Sequence, residues 1–199
     1  ISIPELQPRL FSFNNPFGAC PDCTGLGEKM EFDRSLIIPD ESLSFNEGAI
    51  APYNPDSAWN SSMFTALSKA YNFSLDTPFN KLTKKQQSIL LDVTGEENIH
   101  WVYQKQSGEG QSTYNRPWIG VFADMRRRYA EAWGDNMREA LQKYMSHKEC
   151  TTCHGKKLRQ EALAVTINGK NIWDLSSLSV SESVKFFDNI KLTESQEKI

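Results

Sequence analysis

Along DSAWNSSMFTALSKAYNF the apolar side chains recur at steps of three and four, which puts Trp59, Met63, Ala66, Leu67 and Ala70 on one stripe behind Asp56 and Ser57 as cap candidates. That spacing predicts a helix, and TKKQQSILLD predicts a second, short one. In NIHWVYQKQSGEGQSTYNRPW the period changes to two, with Ile99, Trp101 and Tyr103 on one side before a Gly-rich polar turn, so a hairpin or a mobile loop is expected. PWIGVFADMRRRYAEAW returns to helical steps, with Pro117 at the helix start and Ile119, Phe122, Met125, Tyr129 and Trp133 on the buried face. Gly134 separates it from DNMREALQKYM, whose apolar face is Met137, Ala140, Leu141, Tyr144 and Met145.

Outside this central stretch the pattern differs. RLFSFNNPFGA alternates and then breaks at Asn-Asn-Pro, which reads as a short strand entering a turn. KLRQEALAVTINGKNIWDL sets Leu163, Val165 and Ile167 on one face, turns at Asn168-Gly169 and resumes at Ile172, a hairpin signature. SVSESVKFFDNI places Val180, Val184 and Phe187 at helical spacing behind a serine cap. These flanks read as one small α+β unit.

All four cysteines fall in two near-twin segments, GACPDCTGLG and KECTTCHGKK, each holding Cys-x-x-Cys-x-Gly, with residues 24 to 149 between the two pairs. Two residues between thiolates let both sulfurs reach one tetrahedral ion, and two such knuckles complete a four-thiolate site. Paired disulfides and a redox Cys-x-x-Cys are the competing readings; a redox motif normally occurs once, beside a thioredoxin-like pattern. Four thiolates from Cys20, Cys23, Cys150 and Cys153 would fill every position of one Zn²⁺, so the expected site is structural, with His154 exposed beside it rather than a ligand. Metal binding worth about 10 to 16 kcal/mol in small zinc modules would pin the two distant segments together, so that the residues between leave and return at one point. The expected architecture is therefore a zinc-clamped α+β base, residues 1–40 and 141–199, carrying a mixed, helix-rich inserted domain, residues 41–140.

Composition fits a folded soluble chain: 39% hydrophobic and 24% charged residues with mean hydropathy of -0.54, and no run of the length a membrane span needs. The start, ISIPELQPRL, carries no signal segment, which reads as cytoplasmic; it also lacks Met, which reads as a piece of a longer polypeptide. The net charge of -3 hides an asymmetry. Residues 28 to 56 hold seven acids against two bases, whereas residues 116 to 159 hold ten bases against five acids. With the apolar helical face buried, Arg126, Arg127 and Arg128 fan across the remaining surface, with Arg116, Arg138 and Lys143 as further candidates for contact with a polyanion. The bland alternative is a pair of solvated amphipathic helices.

Catalytic signatures are missing. Gly108-Glu109-Gly110 lacks the lysine of a phosphate-binding loop, Gly25-Leu26-Gly27 is followed by Glu28 and Lys29 in the wrong order, and His100, His147 and His154 suggest no base beside a nucleophile. The chain by itself reads as a non-enzyme.

PRLFSFNNPFGACPDCTGLG, IIPDESLSFNEGAIAP and CTTCHGKKLRQEALAVTINGKNIWDLSSLSVSESVKFF closely resemble the UvrA family, the damage-sensing ATPases of the bacterial excinuclease in nucleotide excision repair. IGVFADMRRRYAEA also looks like the family's basic helix, while residues 57 to 115 are less diagnostic. The resemblance implies part of the signature domain of the first ABC-type ATPase half, its zinc module, and a DNA-facing insertion domain. It further implies a UvrA homodimer, with the ATP-binding motifs and the UvrB-docking domain outside this segment. Two functional readings remain: sequence-independent contact with damaged duplex DNA, and a protein-interaction module whose basic face pairs with an acidic protein surface.

Overall fold

The computed structural model describes residues 6–92, 98–104 and 110–190, which separate into two compact units, 1–30 with 147–199 and 31–146. The division falls inside two paired strands, β1 (Glu28–Phe32) and β4 (Met145–Glu149). Residues 31–40 and 141–146, which the sequence places in the base, thus belong to the inserted unit. The reason is apolar: Phe32, Ile37, Ile38 and Leu141 are buried in that unit's core.

The inserted unit opens with a single helical turn, α1 (Arg34–Ile37), capped by the Asp33 carboxylate accepting from the Ser35 amide. Then α2 (Ala58–Ala70) buries Met63, Phe64 and Leu67. Trp59 and Ala66 of the expected stripe are partly covered, Ala70 is exposed, and the most deeply buried ring, Phe64, lies beside the stripe. Phe64 stacks on Phe45 at 4.1 Å and meets Tyr53 and Trp118 edge-on, so aromatic surface dominates this core. α3 (Lys84–Leu91) begins with a capping box in which Thr83 and Gln86 satisfy each other's backbone amides. Its last carbonyls, of Ile89 and Leu90, accept the Trp118 indole N–H.

β2 (Asn98–Gln104) and β3 (Gln111–Pro117) pair antiparallel from Asn98↔Pro117 to Gln104↔Gln111, and Ile99 and Trp101 turn inward. The expected hairpin is thus present; the turn at 105–109 lies outside the described residues. Pro117 ends β3 rather than starting a helix. α4 (Val121–Ala130) begins after Gly120, whose φ of 82° and 2.1 Å approach of an added Cβ to the Asp92 carbonyl oxygen admit no side chain. Val121 and Met125 are buried. Trp133, assigned to the buried face, is instead 95% exposed: α4 ends at Ala130, Glu131 is its C-cap, and Ala132 turns inward in its place. α5 (Asp135–Gln142) buries Leu141 alone; Met137 and Ala140 face solvent, and Met145 already belongs to β4.

In the base, residues 8–11 form a 3₁₀ turn, not a strand. Pro8 supplies no amide at its first position, and Leu10 is pulled into a small core with Leu158 and Ala162. Leu163 ends a helical turn, α6 (Gln160–Leu163), so the hairpin around Asn168-Gly169 shrinks to β5 (Thr166–Ile167) and β6 (Lys170–Asn171). Both turn residues have positive φ, 49° and 78°, as a two-residue hairpin turn demands. α7 (Ile172–Ser176) and α8 (Val180–Asp188) follow, each behind a capping box, at Asn171–Asp174 and Ser179–Glu182. The architecture is α+β, as the pattern predicts. No helix among the described residues is long and apolar enough to cross a membrane.

Candidate metal centre and nucleic-acid interface

The two cysteine knuckles repeat one backbone course at an offset of 130 residues. Thr24 and His154 have φ of 52° and 49°, Gly25 and Gly155 of 84° and 73°, Gly27 and Lys157 of 84° and 67°. The hydrogen bonds repeat too. The Leu26 amide donates to Cys23 O and the Lys156 amide to Cys153 O, both at 3.0 Å; the Cys20 amide donates to Lys157 O and the Cys150 amide to Gly27 O, both at 2.9 Å. Each half therefore turns its thiols toward the other. At Gly25 the positive φ coincides with a close approach, since a Cβ would stand 2.1 Å from the Phe13 carbonyl oxygen.

All four sulfurs are buried and lie within 4.8 Å of one another. Cys20 and Cys150 sulfurs are 4.0 Å apart and Cys23 and Cys153 sulfurs 3.7 Å apart, far too long for disulfides. A tetrahedral ion with metal–sulfur bonds of about 2.3 Å needs sulfurs about 3.8 Å apart, so the two cross-knuckle pairs already stand near that spacing and the cluster as a whole lies within about an ångström of it. The Gly27 amide donates to the Cys23 sulfur at 3.2 Å, the kind of bond that stabilises a thiolate. Burial pushes the Cys20 thiol up and the Cys153 thiol up to about 12, while the Cys153 backbone amide holds Cys150 down at about 7. Burial thus disfavours charge on two of these sulfurs, and a divalent cation is what would hold all four as thiolates. His154 is exposed and lies 3.8 Å from Glu149, outside the cluster. Around the site the Thr152 hydroxyl donates to Asp22, which also pairs with Lys29 at 3.3 Å.

The basic candidates of the inserted unit divide by what they touch. Arg127 is held by Asp124 at 2.5 Å and Glu131 at 3.0 Å along its own helix. Arg126 lies over the Phe122 ring, Arg128 over Tyr53 and Arg116 over Trp101, and none of the three has a carboxylate partner among the described residues. Arg138 and Lys143 are exposed and equally unpaired there. Along the chain, exposed Trp133 and Met137 fall between Arg128 of α4 and Arg138 of α5. Periodicity alone hid that pair; the signal available was Gly134, since an aromatic directly before a helix-breaking glycine stands past the last turn.

A sequence profile described as the UvrA DNA-binding domain matches residues 33–143, nearly the whole of the inserted unit. The UvrABC system protein A of Treponema pallidum is 47% identical over 194 residues, covering 98% of this chain and 20% of that protein. That of Oceanobacillus iheyensis is 42% identical over 199 residues, covering 100% and 21%. The chain therefore spans about one fifth of the length of these relatives. The crystal structure of UvrA2 from Deinococcus radiodurans is similar with a TM-score of 0.61 at 26% identity, over 94% of this chain and 24% of that one.

Proposed function

This chain belongs to the UvrA family, and from that premise we propose that it is the zinc-clamped, DNA-facing segment of a UvrA-type damage-recognition ATPase, contributing sequence-independent duplex contact in nucleotide excision repair. The observation that carries the proposal is the set of cations without carboxylate partners among the described residues, Arg116, Arg126, Arg128, Arg138 and Lys143, on the unit that matches a DNA-binding family. Cations left unneutralised release counterions from a phosphate backbone, whereas Arg127, already paired twice, has little left to give. Trp133 adds a large exposed ring suited to stacking on an unstacked base.

The cofactor in this reading is one structural Zn²⁺ on Cys20, Cys23, Cys150 and Cys153, chosen because four thiolates close the coordination sphere and leave no position for a reactive water. Catalysis belongs to the longer protein: ATP binding, UvrA dimerisation and UvrB contact would use segments beyond this one, in the bacterial cytoplasm. Duplex binding by this chain tests the proposal. Affinity should fall steeply with salt, and alanine at Arg126 and Arg128 together should flatten that dependence; a salt-independent affinity, or tight capture of a purified repair protein in place of DNA, would favour the protein-interaction reading.

A further inference from the structure

The inserted unit contains an open cleft of about 580 Å³ whose floor is apolar, from Met63, Leu67 and Ile99, and whose walls carry Tyr53, Trp59 and Trp101. That volume is in the range of small-molecule sites. Its ionisable lining is lopsided: Asp124 is the one carboxylate, against Arg116, Arg127 and Arg128. Asp124 is fully committed, taking the Tyr53 hydroxyl on Oδ2 at 2.6 Å and Arg127 on Oδ1 at 2.5 Å. Two positive charges remain. Each is seated on a ring of the same cleft, Arg116 over Trp101 at 5.4 Å and Arg128 over Tyr53 at 5.8 Å.

An apolar, ring-walled cleft with two guanidiniums that have no carboxylate partner among the described residues recognises a flat apolar body joined to an anion. Indole and phenol faces stack on a nucleobase whatever its identity, and guanidiniums bind phosphate through paired N–H donors. We propose that this cleft receives one nucleotide displaced from the duplex stack, its base against the partly exposed Trp59 and its phosphate at Arg116 and Arg128, with buried Tyr53 and Trp101 supporting the two guanidiniums from behind. A displaced base leaves the stack most cheaply where pairing is already broken, so such a cleft would favour DNA at unpaired positions. The inference rests on the proposed DNA contact and adds to it a discrimination that a basic surface alone lacks.

The test uses the 199-residue chain with two duplexes of one sequence, one fully paired and one carrying a single unpaired 2-aminopurine nucleotide. The unpaired duplex should bind about tenfold tighter, the equivalent of one aromatic stacking contact, with 2-aminopurine emission quenched on binding. Arg116→Gln with Arg128→Gln should bring the ratio of the two affinities to about one, as should Asn60→Trp, which fills the cleft from its wall. Arg138→Gln, outside the cleft, should lower both affinities and keep their ratio. A wild-type ratio of one with salt-dependent binding of the paired duplex overturns the cleft and leaves the proposed function standing; no binding of either duplex overturns both. Free deoxynucleoside monophosphate bound as tightly as the unpaired duplex would overturn the strand-borne source of the nucleotide.

Discussion

Arg127 and Asp124, three residues apart on α4, lie 2.5 Å from each other, and Glu131 closes the other side of the same guanidinium at 3.0 Å. The three consecutive arginines are thus electrostatically unequal. Arg127→Gln should leave the slope of log affinity against log salt for duplex DNA nearly unchanged, whereas Arg126→Gln and Arg128→Gln should each reduce it by about 0.9. Binding isotherms across a salt series would show it, and equal losses for all three would contradict the pairing.

Metal analysis of the purified chain should return one zinc per molecule. Removing it by chelation, or by Cys150→Ser, should expose the Cys20 amide, bonded to Lys157, to hydrogen exchange. The Trp118 indole proton, bonded to Ile89 within a unit that has its own core, should remain protected. Unchanged exchange at Cys20 after metal loss would mean that the knuckles stand without an ion.

Gly120→Ala should be among the most destabilising single substitutions in the inserted unit. The strained φ alone costs about 1–3 kcal/mol, and the new methyl would meet the Asp92 carbonyl oxygen at 2.1 Å. Thermal or denaturant unfolding measures it, with Gly48→Ala as the comparison, since a Cβ at Gly48 meets nothing within 4 Å.

Trp133→Ala should leave stability almost untouched, because the ring is 95% exposed. Affinity for single-stranded or distorted DNA should nevertheless fall by about 1–3 kcal/mol, the worth of one base stacked on an aromatic ring. Unfolding and binding are measured on the same preparation, and a loss of stability without a loss of affinity would return Trp133 to a packing role.

The α8 cap should be acid-sensitive. Hydrogen bonds from the Ser179 hydroxyl and amide hold the Glu182 carboxyl below its ordinary value of 4.5. A carboxylate whose pKa is lowered by folding adds stability above its unfolded value, and that stability is lost as pH falls through the folded one. Protection of α8 amides should therefore drop as the pH falls below about 4.5, and Glu182→Gln should remove that pH dependence.

Much of this was legible in the chain because local rules agreed with the fold. Ser179 caps a helix three residues before Glu182, Asn168-Gly169 closes a hairpin, and the twin knuckles converge through their own turn geometry. Misreadings arose where a tertiary contact overrode periodicity. Leu10 and Leu163 alternate like strand residues but pack on a small core from helical turns. Pro117 looks like a helix start, yet β3 uses it as a terminal residue, and the helix waits for Gly120 because only glycine fits beside Asp92. Ion pairing on α4 follows helical spacing: Asp124 stands three residues before Arg127 and Glu131 four after it, on the same face, whereas they stand two before and five after Arg126 and face away from it.

The repeat of one knuckle course at an offset of 130 residues also bears on how freely this protein can change. Closing a flexible span between two anchor points grows in cost only with the logarithm of its length, so doubling the span would add about 0.6 kcal/mol. A fastener of two like halves therefore places almost no limit on the size of what it encloses, and the enclosed unit can be lengthened, trimmed or exchanged while the four cysteines stay as they are.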